Sequence, residues 1–157
     1  MSATIAPNRV ASLLRDLFGR AVKVDGADLL TMSPGNSNWM AIYSGSDGKI
    51  VGVCVCDIEF AAYAATALCL IPQATAKESI SSRKLDLSLV DNLREIMNVC
   101  SQLFAAADSG RITLHSVTLA AQCASEDAKR IVSAPSQKCG MKFSIDGYGE
   151  GKLSLVT

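Results

Sequence analysis

The stretch DNLREIMNVCSQ, residues 91–102, decides how this sequence is interpreted. It lies within a segment whose apolar side chains recur at the spacing of an α-helix. Four polar side chains follow one another at positions i, i+4, i+7 and i+11: Asp91, Glu95, Asn98 and Gln102. At about 100° per residue they share a stripe roughly 60° wide. The stretch therefore predicts a helix that is apolar on one side and carries a straight line of acids and amides on the other.

The predicted helix extends from about Asp86 to Ala107, and no lysine occurs along it. Arg94 lies at the margin of the polar stripe, where it could pair with Asp91 or with Glu95. The apolar side is broad and centred opposite the stripe: Leu89, Leu93, Ile96, Met97, Cys100, Leu103, Phe104 and Ala107. Two interpretations stay open, because the stripe is either an ordinary solvated face or a functional surface.

Around this helix, the pattern alternates between helical segments and hairpins. Helices are predicted over 8–19, with Asn8 as cap and Gly19 at the end, and from Asp57 to about Leu70, where Pro72 stops it. Strands are predicted over 29–32, 39–44, 49–56, 112–120, 138–146 and 152–156. Segment 73–84 is expected to be a polar connector and segment 125–135 a loop or short helix.

This order of elements predicts an α+β fold. Consecutive hairpins imply a mainly antiparallel β-sheet, with two or three helices packed against it. Strand 49–56 is apolar at nearly every position and is expected to be central. No internal repeat or shift in composition divides the chain, so residues 1–157 are expected to form a single domain.

Composition and charge restrict the classes of partner. The 157 residues are 49% hydrophobic and 19% charged, which indicates a folded chain with a real core. Fifteen basic side chains balance fifteen acidic ones, which gives no electrostatic footprint for nucleic acid or for an anionic membrane. The N-terminal segment lacks the features of a signal peptide, and no apolar run is long enough to span a bilayer. A cytoplasmic protein is expected.

The cysteines are interpreted as small core residues. None of the six forms a C-x-x-C pair, and His115 is the only histidine, so no metal-ligand set is predicted. Cys54 and Cys56 point to one face of a strand, which favours packing; a C-x-C copper site is the alternative. A Ser-His-Asp hydrolase is disfavoured because His115 has no G-x-S-x-G elbow nearby.

A carboxylate and an amide one turn apart have a specific chemical use. An amide orients a water molecule by donating and accepting hydrogen bonds at once, but it is no general base at neutral pH. A carboxylate three residues earlier can hold a cation on a partner. Such a pair suits water positioning for in-line attack on a phosphoryl group, a reaction that depends on placement and electrostatics.

Asp91, Glu95 and Asn98 match a known signature. The segment resembles the (Asp/Ser)-x-x-x-Glu-x-x-Asn motif of the CheC/CheX chemotaxis phosphatases. The resemblance extends over nearly the whole chain: the first helix ends in a glycine, a G-x-x-G hairpin (Gly45, Gly48) leads into an apolar strand, and an alanine-rich helix follows. One copy of the signature is found, which is nearer to CheX, whose members form homodimers, than to CheC, which carries two copies.

The resemblance implies an activity, a partner and residue roles. It implies hydrolysis of the aspartyl phosphate on a CheY-type response regulator, with Asn98 aligning the attacking water and Glu95 contacting a lysine of the regulator. Asp91 would support the interface, with Arg94 beside it, and the bulky Gln102 would either extend the contact or hinder it. The Mg²⁺ would belong to the regulator, so no cofactor of the chain's own is expected. The alternative is a non-catalytic binding or assembly module related to flagellar switch proteins.

Overall fold

The computed structural model describes residues 5–32, 37–104 and 110–157. Within these ranges there are five α-helices: α1 (Pro7–Phe18), α2 (Ile58–Leu68), α3 (Gln73–Ser82), α4 (Leu87–Val99) and α5 (Glu126–Ser133). Two short 3₁₀ segments cover Cys100–Phe104 and Ala120–Gln122. The strands are β1 (Val22–Gly26), β2 (Trp39–Ser44), β3 (Ile50–Cys56), β4 (Thr113–Leu119), β5 (Lys138–Ile145) and β6 (Gly149–Val156).

The described strands form one sheet in the order β1-β5-β6-β3-β2-β4. Every neighbouring pair is antiparallel, which confirms the predicted α+β class. β3 lies between β6 and β2, as its continuous apolar run predicts, and both of its faces are covered. Val53 and Val55 face one side of the sheet, whereas Cys54 and Cys56 face the other.

Three helices, α1, α2 and α4, cover the face of the sheet that carries Cys54 and Cys56. These two side chains are fully buried, as expected for core cysteines. The opposite face is covered by α5 and by the segment 29–32, which pack on Met40 and Ile42 of β2 and on the two valines of β3. The sheet is thus buried on both sides, and α4 belongs to the layer of three helices.

Asp57 fixes α2 on the sheet. Its Oδ1 accepts one hydrogen bond from the main-chain N–H of Phe60 (2.8 Å) and another from that of Lys152 on β6 (3.0 Å). The first bond is the N-cap that the sequence predicts. The second joins the start of α2 to β6, where Gly151 leaves room for the approaching helix, since a Cβ at that position would meet the main chain of Phe60 at 2.3 Å.

Several elements differ from the sequence prediction. α1 begins at Pro7, with Ala6 as the N-cap residue in place of Asn8. Proline suits the first helical position because it has no N–H group that would need an acceptor there. Its end at Gly19 is as predicted, with a φ of 65° that favours glycine. Residues 29–32 are not a strand; the edge strand is Val22–Gly26, which pairs with β5 far along the chain. Segment 73–84, expected to be a connector, contains α3.

α3 forms despite its polar sequence because it packs on α2. Its buried side chains are small, Ala76 and Ser79, so the segment shows no apolar period that would predict a helix. Segment 125–135, expected to be a loop or a short helix, contains the helix α5. Ser125 caps this helix by accepting a hydrogen bond from the N–H of Ala128. No helix in the described ranges is long and apolar enough to cross a membrane.

Candidate functional site

α4 carries the polar stripe, and a side chain caps its start. Asp86 Oδ1 accepts hydrogen bonds from the N–H of Leu89 (2.9 Å) and from the hydroxyl of Ser88 (2.8 Å). These bonds stabilise the charged carboxylate and lower the pKa of Asp86. The buried side of the helix is the one predicted: Leu89, Leu93, Ile96 and Met97. The cap and the buried side together fix the orientation of α4, and therefore of its outer side.

The stripe is on the exposed side of α4. Asp91, Glu95 and Asn98 are exposed, and so is Arg94 at the margin. Since Glu95 and Asn98 are three residues apart on a regular helix, their side chains emerge as neighbours, separated by one turn. The carboxylate and the amide are thus available together to a second molecule.

Nothing else in the described part of the chain engages these side chains. No hydrogen bond or ion pair there involves the side chain of Asp91, Glu95 or Asn98. Arg94 likewise forms no ion pair within residues 5–32, 37–104 and 110–157, so the pairing with Asp91 or Glu95 considered from the sequence is not made. The hydrogen-bonding capacity of the acid and the amide is left for solvent or for a partner.

Gln102 departs from the predicted geometry. The α-helix ends at Val99, and Cys100–Phe104 continues as a 3₁₀ helix; the predicted end at Ala107 lies outside the described residues. A 3₁₀ helix advances about 120° per residue. Gln102 is exposed, but it is rotated by roughly 40° from the position that a continuous α-helix gives it. Its main-chain oxygen accepts a hydrogen bond from Arg9 of α1 at 3.1 Å.

Two polar contacts, one buried and one partly buried, hold α4 in place, and the sequence did not single out either. The side-chain amide of Asn92 donates to the main-chain oxygen of Ala65 on α2 at 2.9 Å. The hydroxyl of Tyr43 on β2 donates to the main-chain oxygen of Met97 at 2.6 Å. The position of Asn92, on the border between the apolar and polar sides of the predicted helix, could have indicated that its amide bonds to a neighbouring element. No local signal indicates the partner of Tyr43, which is 54 residues away.

Other groups considered from the sequence lie elsewhere. Burial raises the pKa of the Cys54 and Cys56 thiols well above the ordinary value and that of Cys100 to about 12, as expected for protonated core thiols. The interpretation as core residues is wrong for Cys69, which is exposed at the end of α2, and Cys139 is only partly buried. His115 is exposed on β4. Among the described residues, no group of three or more His, Cys, Asp or Glu side chains is arranged to hold a metal ion.

The described residues thus form an antiparallel sheet with helices packed on it, and the outer side of α4 carries the exposed acid–amide pair. No family model matches the sequence, and no curated protein matches it. Solved structures do match. The FliM middle domain from H. pylori is 13% identical, with 96% of this chain and 83% of that chain covered and a TM-score of 0.60. FliY from Thermotoga maritima is 14% identical, with 98% and 84% covered and a TM-score of 0.56.

The CheX–CheY–BeF₃–Mg²⁺ complex from Borrelia burgdorferi also contains a matching chain. It is 14% identical, 97% of each chain is covered, and the TM-score is 0.49. At these identities the matches establish the fold alone. The chain thus has the fold of the FliM and FliY structures, and the CheC/CheX-like architecture predicted from the sequence is confirmed at that level.

Proposed function

We propose that this protein is a phosphatase that hydrolyses the aspartyl phosphate of a CheY-type response regulator. The observation that carries the proposal is the exposed pair on α4, in which Glu95 and Asn98 project side by side without a partner among the described residues. Their spacing within the signature Asp91-x-x-x-Glu95-x-x-Asn98 supports the same assignment. The proposal places the protein in the cytoplasm and assigns it a homodimeric state.

Asn98 positions the attacking water in this proposal. Its amide accepts a hydrogen bond from the water and donates another, which orients an oxygen lone pair toward the phosphorus. The water attacks in line, the bond between phosphorus and the aspartyl oxygen breaks, and inorganic phosphate leaves with the oxygen and the protons of the water. The regulator's aspartate carboxylate is regenerated, and the regulator's own Mg²⁺ neutralises charge on the phosphoryl oxygens. Asn98 contributes placement rather than proton transfer.

Glu95 docks the regulator. Its carboxylate, exposed one turn before Asn98, forms an ion pair with a lysine of the regulator and sets the depth at which Asn98 enters. Asp91 and Arg94, also exposed, contact the surrounding surface of the partner. Gln102 is displaced from the line by the 3₁₀ segment, so it contacts the partner at the edge of the site.

The test is phosphate release from CheY-type regulators of the same genome, phosphorylated with acetyl phosphate in the presence of Mg²⁺. The wild-type protein is expected to accelerate release, and Asn98→Ala is expected to reduce kcat at least a hundredfold. Asn8→Ala is the matched control, because it removes another exposed helical asparagine, on α1. An unchanged rate in Asn98→Ala would show that the mechanism is wrong.

The alternative is a non-catalytic assembly module related to flagellar switch proteins. The observation that favours it is the likeness to FliM and FliY, whose TM-scores are 0.60 and 0.56. A module of this kind would bind its partner without accelerating phosphate loss. The same assay, run beside a direct binding measurement with the beryllofluoride-activated regulator, separates the two functions. Sedimentation analysis of the free protein tests the proposed homodimer.

A further inference from the structure

Leu87 extends the exposed line on α4 with an apolar side chain. It is the first residue of the helix and lies four residues before Asp91, about 40° round the axis, so it adjoins the edge of the stripe on which Asn98 lies. The residue is 83% exposed, and the only other exposed large hydrophobic residue in the described ranges is Leu70, at 69%. Leu87 therefore offers a partner an apolar contact at the start of α4.

A groove lies beside Leu87. Its volume is about 450 Å³, and it runs between the start of α4 and the edge strand β4. The apolar part of its lining comes mainly from Trp39, Leu85, Leu87, Val90 and Leu119. The groove is therefore an apolar surface that is continuous with the stripe on α4.

The groove is flanked by positive charge. Arg83 and Lys84 line it, both are exposed, and neither forms an ion pair with any described residue. Arg94 follows Val90 by one helical turn on the same side of α4 and is also unpaired. The nearby carboxylate of Asp86 accepts a hydrogen bond from the N–H of Leu89 at the start of α4. Such a groove favours an acidic segment that carries an apolar side chain.

Geometry connects the groove with Asn98. The distance from Leu87 to Asn98 along the helix is about 16 Å at 1.5 Å per residue. A standard protein interface of about 800 Å² per partner is roughly 30 Å across. A regulator that receives Asn98 in its phosphorylation site is therefore large enough to reach Leu87 as well.

We propose that this groove is a docking site for an acidic, apolar-anchored segment of the response regulator. The inference rests on the proposed phosphatase function and adds a second contact to it. The acid at Glu95 meets a lysine at the regulator's phosphorylation site, while Arg83 and Lys84, near the start of α4, meet carboxylates on another part of the regulator. Two contacts of opposite charge fix the orientation of the partner on α4 and select regulators that carry the acidic segment.

The experiment compares Leu87→Ala and the double substitution Arg83→Glu, Lys84→Glu with the wild type. Phosphate release from the phosphorylated regulator gives kcat and KM, and the beryllofluoride-activated regulator gives Kd. Both variants are expected to raise KM and Kd about five- to tenfold, with kcat within about twofold of the wild type. The charge reversal is also expected to flatten the dependence of Kd on ionic strength. Leu70→Ala, which truncates the other exposed leucine, is the control and should leave all three constants unchanged.

Other outcomes separate the groove from the activity. If the wild type is active and neither variant changes KM or Kd, the groove is not a docking site, although the phosphatase function stands. If the variants instead dissociate a dimer without changing Kd, the groove is a contact between copies and the inference is overturned. A wild type that binds the activated regulator without accelerating release overturns the phosphatase function, while Kd still tests the groove. No binding at all overturns both.

Discussion

The hydroxyl of Tyr43 donates a hydrogen bond of 2.6 Å to the main-chain oxygen of Met97, the residue immediately before Asn98. Tyr43 is fully buried, and its ring packs on Phe104 with the ring centroids 4.5 Å apart. A residue of the sheet thus holds the main chain where α4 passes into the 3₁₀ segment. The main chain next to Asn98 is therefore anchored to the sheet, which fixes the position of the exposed amide.

Replacing Tyr43 by phenylalanine should lower stability. The substitution removes the hydroxyl and leaves the buried oxygen of Met97 without this donor, which costs about 1–2 kcal/mol of unfolding free energy. Urea unfolding measures the change. Tyr63→Phe is the matched control, since no hydrogen bond within the described residues involves the Tyr63 hydroxyl. Equal midpoints for Tyr43→Phe and the wild type would contradict the assignment.

Asp57 should make stability depend on pH in a particular direction. Burial raises the pKa of this carboxyl from 3.8 to about 6 in the folded protein. The folded state therefore holds the proton more tightly than the unfolded state, so this contribution is fully present below about pH 4 and is lost as the pH rises through about 6. Asp57→Asn keeps an acceptor for the N–H of Phe60 but does not titrate. We expect the variant's stability relative to the wild type to rise between these pH values, as measured by urea unfolding at each pH; a constant difference would contradict the prediction.

Asp57→Ala tests the cap itself. Alanine leaves the N–H groups of Phe60 and Lys152 without their acceptor, so unfolding free energy at neutral pH should fall by about 1–2 kcal/mol. Asp16→Ala on the exposed side of α1 provides the control. Thermal or urea unfolding gives the comparison, and an Asp57→Ala protein as stable as the control would show that the double contact with α2 and β6 contributes nothing.

Gly151→Ala should be among the most damaging single-methyl additions. A Cβ at this position would lie 2.3 Å from the main chain of Phe60, and neither α2 nor β6 can move without breaking the Asp57 contacts. Overpacking of this kind costs about 1–3 kcal/mol. Gly26→Ala adds the same methyl group at the end of β1, where no atom lies within 4 Å, and should be near neutral. Similar unfolding midpoints for the two variants would argue against close packing of α2 on β6.

Glu95→Gln should separate docking from water placement. The substitution keeps the shape of the exposed side chain and removes its charge, so it weakens the proposed ion pair with the regulator's lysine. KM for phosphate release is expected to rise about tenfold, and much more than kcat falls. Glu78→Gln on the exposed side of α3 is the matched control. A decrease in kcat with KM unchanged would contradict the docking role and assign Glu95 to the chemical step.

Patterns that are local in sequence predicted much of the fold. The apolar run of β3, the N-cap at Asp57 and the glycine that ends α1 were all found where expected. The line of Asp91, Glu95 and Asn98 was predicted to be exposed on a helix, and the structure places it so. The catalytic and docking roles of these residues stay predictions, as do the homodimer and the Mg²⁺ supplied by the regulator.

Elements that depend on distant partners escaped prediction. α3 has no apolar period and is held by small side chains packed on α2. β1 pairs Val22 with Ile145, a contact that no local pattern indicates. The change from α-helix to 3₁₀ helix at Cys100 moved Gln102 off the line.

The sequence by itself determined which side of each helix and strand is apolar, because that periodicity is set by the rotation per residue of the backbone. It therefore determined that an acid and an amide share one side of α4. Only the tertiary structure decided that Tyr43 and Asn92 hold that helix, that the strands follow the order β1-β5-β6-β3-β2-β4, and that an apolar groove flanked by Arg83 and Lys84 opens beside Leu87. These features depend on which elements meet in space, and packing between residues far apart in the chain decides that.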